Sequence, residues 1–429
     1  MFTSKPDPKI LSATIVLGAI SVAQAEMGGM FAPYVTYPVG SYPDSVVIAD
    51  FNGDGDKDLA VANVLGDNVS VLLNHGDGTF AGQIRYDAGA GPYSVGTADF
   101  DADGDMDLAV ANEYSNDVRI LLNHGDGTFV MGSVCSVGQQ CSVLDVADLD
   151  GDDDFDIAVT NDLSDSVSVL LNRGDATFED HVEYTAGDYP HCVAIGDIDG
   201  DGDADLVVTN GFSHNISIFR NHGDGTFLPQ QTIGVFGYPY TVAICDLDND
   251  ADNDLAVTNR GWNSVSVLIN AGNGTFVEGG RYEVGDEPMK VAAADLDHDG
   301  YPDLAVGNWN DGDISILLNQ GDGTFGSQDR YDVGGYHKAR WIAIDDLDHD
   351  QDPDLAVANG MAGNVAILLN QSDPCSADVN NDGVVDIDDL FAVLAAWGLC
   401  EDCPEDIDQN GIVNEEDVLE VLAHWGPCP

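Results

Sequence analysis

The sequence predicts a mainly β protein, a seven-bladed β-propeller followed by a small α-helical domain. Three observations predict it: an acidic nonapeptide that occurs seven times, four short strand patterns around each copy, and a strand missing at one end of the array but present at the other.

The nonapeptide is DFNGDGDKD at Asp50. It recurs as DFDADGDMD at Asp99, DLDGDDDFD at Asp148, DIDGDGDAD at Asp197, DLDNDADND at Asp246, DLDHDGYPD at Asp295 and DLDHDQDPD at Asp346. Starts lie 49 residues apart five times and then 51. Each copy follows an apolar segment such as SVVIA (45–49) and precedes LAVAN (59–63), VSVLLN (69–74), a GDGTF-type turn and a segment such as QIRYDAG (83–89). β-Branched residues between regular turn signals mean short strands, four per repeat, which fits a propeller blade rather than a helical solenoid. The last repeat stops at VAILLN (365–370), whereas FAPYVTYPVG (31–40) matches a fourth strand with no repeat before it. That N-terminal strand is expected to complete the seventh blade and latch the ring.

Crowded carboxylates repel by roughly 4 kcal/mol per pair near a protein surface, so such loops need a positive charge inside them. Oxygen ligands at positions 1, 3, 5 and 9, with a glycine at position 6, suit a hard cation with six to eight oxygens, and calcium better than magnesium. No thiolate or imidazole stands at these positions, which argues against zinc. The expected ligands are Asp50, Asn52, Asp54 and Asp58; Asp99, Asp101, Asp103 and Asp107; Asp148, Asp150, Asp152 and Asp156; Asp197, Asp199, Asp201 and Asp205. They continue as Asp246, Asp248, Asp250 and Asp254; Asp295, Asp297, Asp299 and Asp303; Asp346, Asp348, Asp350 and Asp354. Asp153, Ala251 and Gln351 replace the position-6 glycine, so those three loops must bend differently or store strain.

These loops, strands and spacings resemble the FG-GAP/VCBS repeat family, over roughly residues 31–370. The family includes the calcium-carrying propeller of integrin α subunits and several secreted bacterial proteins and lectins. The resemblance implies calcium in the loop joining the first and second strands of each blade, on one rim of the ring. It leaves the ligand open, because the fold hosts binders and enzymes alike.

After QSDP (371–374) the pattern changes: DVNNDGVVDIDDLFAVLAAWG (378–398) is echoed by DIDQNGIVNEEDVLEVLAHWG (406–426), each half a twelve-residue loop running into an amphipathic helix. The loop ligands would be Asp378, Asn380, Asp382, Asp386 and Asp389, then Asp406, Asp408, Asn410, Asn414 and Asp417. The duplication, with Asp at position 12, resembles a type I dockerin, which docks on cohesin domains. Leu390, Val393, Leu394 and Trp397, matched by Val418, Val421, Leu422 and Trp425, are expected to form a shared core. The positions that often carry Ser-Thr in dockerins hold Ile387-Asp388 and Glu415-Glu416, which points to a cohesin-like anchoring partner other than that of cellulosomes.

At the other end, Lys5 and Lys9, the apolar run from Ile10 to Ala23 and Ala23-Gln24-Ala25 read as a signal peptide cleaved after Ala25. The expected domains are therefore 1–25, the propeller over 26–372 and the dockerin-like domain over 373–429, in an extracellular protein. Its 77 acidic against 13 basic residues, a formal charge of −64, exclude general attraction to nucleic acid or anionic membrane, and no membrane insertion is expected. Cysteines fit export: Cys375, Cys400, Cys403 and Cys428 allow three connectivities, of which the duplication favours Cys375–Cys400 with Cys403–Cys428. Cys135 and Cys141 could pin a loop, and Cys192 and Cys245 read as buried free thiols.

No catalytic residue is expected. His75, His124 and His222 share one turn position, His298 and His349 lie inside the acidic loops, and neither GxSxG nor HExxH occurs. Aromatics in the loops of the opposite rim offer stacking area for sugars or protein anchors: Tyr42, Tyr93, Tyr189, Tyr238, Tyr240, Trp262, Trp309, Tyr336 and Trp341. Arg260, Lys290, Lys338 and Arg340 gather there too, as a patch for an anionic or hydrogen-bonding ligand or as offsets to nearby carboxylates. The resulting expectation is a calcium-binding recognition or adhesion protein for a glycan or protein ligand, the alternative an extracellular polysaccharide-active lyase or glycoside hydrolase.

Overall fold

The computed structural model describes residues 30–334 and 339–371, together with 379, 384–385, 387–399, 407, 412–414, 418, 421 and 426–427. Outside them fall the expected signal peptide, Tyr336, Lys338, the four cysteines of the tail, Leu422, Trp425 and the loop positions Asp378, Asn380, Asp382, Asp386, Asp406, Asp408, Asn410 and Asp417.

Seven four-stranded antiparallel sheets form the ring. Blade 1, residues 43–87, sets the pattern with Pro43–Ala49, Asp58–Asn63, Asn68–Leu72 and Ile84–Asp87. Blades 2 to 6 repeat it over residues 92–136, 141–185, 190–234, 239–283 and 288–332. Blade 7 takes Ala339–Asp345, Asp354–Asn359 and Asn364–Leu368 from the C-terminal side and Val35–Pro38 from the N-terminal side. The latch pairs Val35 with Ile367 through to Pro38 with Asn364, and Phe31 bridges Asn370.

The face-to-face stacking of blades explains the sequence pattern. The second strand of every blade is buried along its whole length, so DLAVAN reads as a nearly continuous apolar run rather than an alternating one. Fourth strands lie at the outer edge and are mostly exposed. Each seam is a small core of its own: Ala60, Val69 and Val71 of blade 1 pack with Val95, Leu108 and Val110 of blade 2. A hydrogen bond repeats around the ring beside these cores. Asn123 Nδ2 donates to the Phe51 carbonyl of the preceding blade at 2.9 Å. Asn172, Asn221, Asn270, Asn319, Asn370 and Asn74 do the same to Phe100, Leu149, Ile198, Leu247, Leu296 and Leu347, which carries the seam across the latched junction.

In the tail, the helix Ile387–Ala396 and two short pairings, Val384–Val385 with Gly426–Pro427 and Gly398–Leu399 with Ile412–Val413, surround a core of Val379, Val393, Val413 and Val421. Leu390 and Val418 pack on it as expected, but Leu394 and Trp397 are exposed. The buried face of the helix is rotated toward Ala392 and Ala396, and Trp397 lies past the last helical residue. No helix among the described residues is long and apolar enough to cross a membrane.

Candidate metal rim and ligand face

Each acidic loop joins the first and second strands of its blade, so all seven lie on one rim. The position-1 carboxylate receives the position-6 backbone N–H in every loop, from Gly55 to Asp50 at 2.9 Å and equivalently at Asp99, Asp148, Asp197, Asp246, Asp295 and Asp346. This bond curls the loop around its own acids. Residues at positions 4 and 6 take left-handed conformations throughout, and Asp153, Ala251 and Gln351 adopt φ of 72°, 73° and 77° where other loops use glycine. Those three loops therefore keep the common bend and store strain, on the order of 1–2 kcal/mol per residue.

The position-9 aspartate is buried at the loop's base. Asp107 Oδ2 accepts from Phe100 N at 3.1 Å and Oδ1 from Asn123 N at 2.7 Å, and all seven loops share this pair of bonds. Asn123 is also the residue that bonds to the preceding blade, so each acidic loop is wired through its position-9 aspartate into a seam. Burial pushes the carboxyl up to about 6 in Asp58, Asp205 and Asp254, and to about 7 in Asp107, Asp156, Asp303 and Asp354.

One observation says the loops suit a cation. Asp101, Asp150, Asp199, Asp248, Asp295 and Asp348 each hold a buried carboxylate oxygen with no hydrogen-bond donor, an arrangement whose cost a bound cation removes. One carboxylate oxygen each from Asp99, Asp101 and Asp107 lies within 4.8 Å of the others, and so do those of Asp148, Asp150 and Asp152, of Asp197, Asp199 and Asp205, of Asp246, Asp248 and Asp250, and of Asp295, Asp297 and Asp299. These clusters could hold a metal ion. Loop 1 differs in that Asn52 Nδ2 donates to Asp54 at 2.8 Å. His298 and His349 reach into the next blade's loop, at 2.7 Å from Asp352 and 2.8 Å from Asp56. In the tail, Asp389 is fully buried and Asn414 Nδ2 donates to the Ile412 carbonyl.

The opposite rim departs from the expectation in several places. Tyr93, Tyr240, Arg340 and Trp341 lie on first strands rather than in loops. The second residue of each first strand faces the axis, which brings Asp44, Tyr93, His191, Tyr240 and Arg340 into one buried cluster. Arg340 pairs with Asp44, donates to the Tyr42 and Tyr93 hydroxyls at 3.0 and 3.3 Å, and lies 4.8 Å from the Trp309 ring. The Tyr93 and Tyr240 hydroxyls are 2.9 Å apart, and His191 stands 3.4 Å from both Tyr93 and Asp162. Burial holds both tyrosines well above the ordinary phenol range, so they act as hydrogen-bond groups rather than bases at neutral pH. Asp44 and His191 were not singled out from the sequence, although aligning the repeats at their spacing puts them in one column with Tyr93, Tyr240 and Arg340.

Lys290 and Trp341 also turn inward, 4.4 Å apart, onto a channel cavity of about 350 Å³ lined by Val46, Thr97 and Asp345. Arg260 pairs with Glu287 at 2.7 Å. Arg260 and Arg340 thus each offset a nearby carboxylate, Glu287 and Asp44. Cys135 and Cys141 are unbridged, which corrects the loop-pinning expectation; Cys192 and Cys245 are free, as expected.

An aromatic ledge lies on blades 4 and 5. Tyr189 packs 4.8 Å from Phe212 and 6.2 Å from Tyr238, Phe212 lies 5.6 Å from Tyr238, and Phe236 5.7 Å from Trp262. Phe212 and Trp262 are more than half exposed. Leu65, Tyr114, Leu163, Phe212 and Met361 occupy equivalent tips between second and third strands, each exposed by more than half, so an apolar fringe borders the axial cluster at five of the seven blades.

A family described as FG-GAP-like repeat matches at residues 50–110, 99–159, 148–208, 197–257, 246–306 and 295–357. No curated protein matches significantly. Solved structures share the fold at low identity. BBS1N in complex with ARL6DN aligns with a TM-score of 0.58 and 13% identity over 80% of this chain and 97% of that one. A catalytically inactive virginiamycin B lyase from Staphylococcus aureus with quinupristin gives 0.55 and 13% over 80% and 100%. A Lactobacillus plantarum protein gives 0.55 and 15% over 70% and 88%.

Proposed function

The chain belongs to the FG-GAP-like repeat family, and from that premise we propose that it is a secreted recognition protein, released by cleavage after Ala25, whose calcium-loaded ring presents a glycan- or protein-binding face. Calcium sits in the seven rim loops, with the position-1, -3, -5 and -9 oxygens as ligands, and neutralises the donorless carboxylates. The dockerin-like tail, with its own two calcium loops, anchors the protein to a cohesin-like partner.

The observation that carries the recognition reading is the ledge of Tyr189, Phe212, Tyr238, Phe236 and Trp262 on the rim away from the acidic loops, with Phe212, Phe236 and Trp262 exposed and the two tyrosines half-buried beside them. The test is a screen of the calcium-loaded chain against immobilised glycans and surface proteins. Trp262→Ala with Tyr238→Ala should lose at least tenfold in retention, and undiminished retention would overturn the assignment. A second reading, a polysaccharide-active enzyme, draws support from the chain of Asp162, His191, Tyr93 and Arg340 at the axis. Its mark would be release of unsaturated or reducing-end sugars; retention without product favours recognition.

A further inference from the structure

We propose that Arg281, Phe236 and Trp262 on blade 5 form a subsite for an acidic sugar residue, the guanidinium taking a carboxylate or sulfate ester while the rings pack on the sugar's apolar face. The proposal rests on the recognition reading and deepens it by naming the ligand's chemical class.

The repeat supplies its own control. Arg281 on blade 5 and Arg330 on blade 6 are equivalent positions, 49 residues apart, on fourth strands. Arg330 is neutralised by Asp311 at 2.5 Å and by Asp313. The residues equivalent to those aspartates on blade 5 are Trp262 and Ser264. Arg281 accordingly has no carboxylate within ion-pair distance among the described residues; its guanidinium lies 5.3 Å from the Trp262 ring and 5.4 Å from the Phe236 ring. Seven of the ten described cations are paired with carboxylates. Arg260 and Arg340 also lie over rings but are paired, so among the described residues Arg281 is the one guanidinium held by rings without a carboxylate.

A second departure falls at the same place. The residue that leads out of the fourth strand is Gly40, Gly89, Gly138, Gly187, Gly285 and Gly334 in six repeats and Phe236 in the remaining one. At Gly40, Gly89, Gly138, Gly187 and Gly285 an added Cβ would come within 2.5–2.7 Å of the neighbouring asparagine side chain, so the glycine answers a packing need. Blade 5 alone overrides it, and the ring it introduces is 46% exposed beside a Trp262 that is 56% exposed. A position that breaks a rule of its own fold without burying what it adds marks a functional site.

Set beside two rings and without a carboxylate partner among the described residues, the guanidinium keeps its N–H fork free, the form that recognises carboxylate and sulfate oxygens in pairs. Glu283, exposed two residues along the strand, is the nearest opposing charge on its own element, and Glu287 is occupied by Arg260. The wider charge of the chain is screened beyond about 8 Å at physiological ionic strength.

The test uses the full calcium-loaded chain against polygalacturonate (carboxylate), carrageenan (sulfate ester) and dextran (neutral). Wild type should be retained by at least one acidic polymer and released by raised salt, and the polymer that retains it identifies the anion. Arg281→Gln should weaken that retention about tenfold or more. Trp262→Asp, which restores the blade 6 pairing and is expected to fold, should weaken it likewise, whereas Arg330→Gln should not. Equal retention of wild type, R281Q and W262D on acidic polymers overturns the subsite, as does wild-type retention by dextran or a protein ligand alone, which leaves the recognition reading standing. Retention by no glycan or protein overturns both.

Discussion

The two rims of the ring use the same seven-fold repeat in opposite ways. On the acidic rim every blade makes the same bonds: position 1 holds the position-6 N–H, position 9 holds two backbone N–H groups, and an asparagine carries the link into the preceding blade. On the other rim the equivalent axial positions hold Asp44, Tyr93, Ser142, His191, Tyr240, Met289 and Arg340, and the tips range from Gly261 to Phe212. Side chains that answer to backbone groups have little chemical freedom, because a buried N–H needs an acceptor at a fixed place. Side chains that answer only to solvent or to one another can differ, and there the blades acquire separate roles.

The comparison predicts that stability resides in the acidic rim. Chelating calcium should give the largest effect. If each of seven sites is held about tenfold above its dissociation constant, binding adds about 1.4 kcal/mol per site, or roughly 10 kcal/mol in total, and its removal should lower the melting temperature on the order of 10–15 °C by calorimetry. A difference of under 2 °C would break the contrast.

Next comes pH in the metal-free protein. Burial pushes the position-9 carboxyls up from their ordinary 3.8 to about 6 in Asp58 and about 7 in Asp107 and Asp354, so the folded state holds protons that the unfolded chain has released. Their contribution is therefore present at low pH and lost as pH rises from about 4 through 7, and the metal-free melting temperature should fall across that window. Calcium, competing with those protons, should flatten or reverse the slope.

Asp107→Asn turns an amide N–H₂ toward a backbone N–H and should cost about 1–3 kcal/mol in urea unfolding, with one calcium fewer by equilibrium dialysis. Ala251→Gly relieves a left-handed alanine and should add on the order of 1 kcal/mol. Trp262→Ala, on the exposed ledge, should shift stability by less than about 0.5 kcal/mol while reducing ligand retention, which separates the rims most sharply.

Much of this was legible in the sequence because a repeat aligns with itself. The seven loops, four strands per blade and the N-terminal latch follow from periodicity, turn residues and one unpaired strand pattern, all of which are local. The aromatic ledge was half legible: Tyr189, Tyr238 and Trp262 stood out as loop aromatics, whereas Phe212 and Phe236 did not, although the break in the glycine column was visible.

The sequence by itself determined the four-stranded repeat, its acidic loop and that loop's oxygen-rich chemistry, since each depends on residues within one 49-residue span. Only the tertiary structure decided which cations are neutralised and which rings are exposed. Arg340 meets Asp44 nearly 300 positions away and Arg281 meets no carboxylate among the described residues, because closing the ring brings the first and last blades together and leaves the equivalent outer-strand sites to differ by what stands beside them.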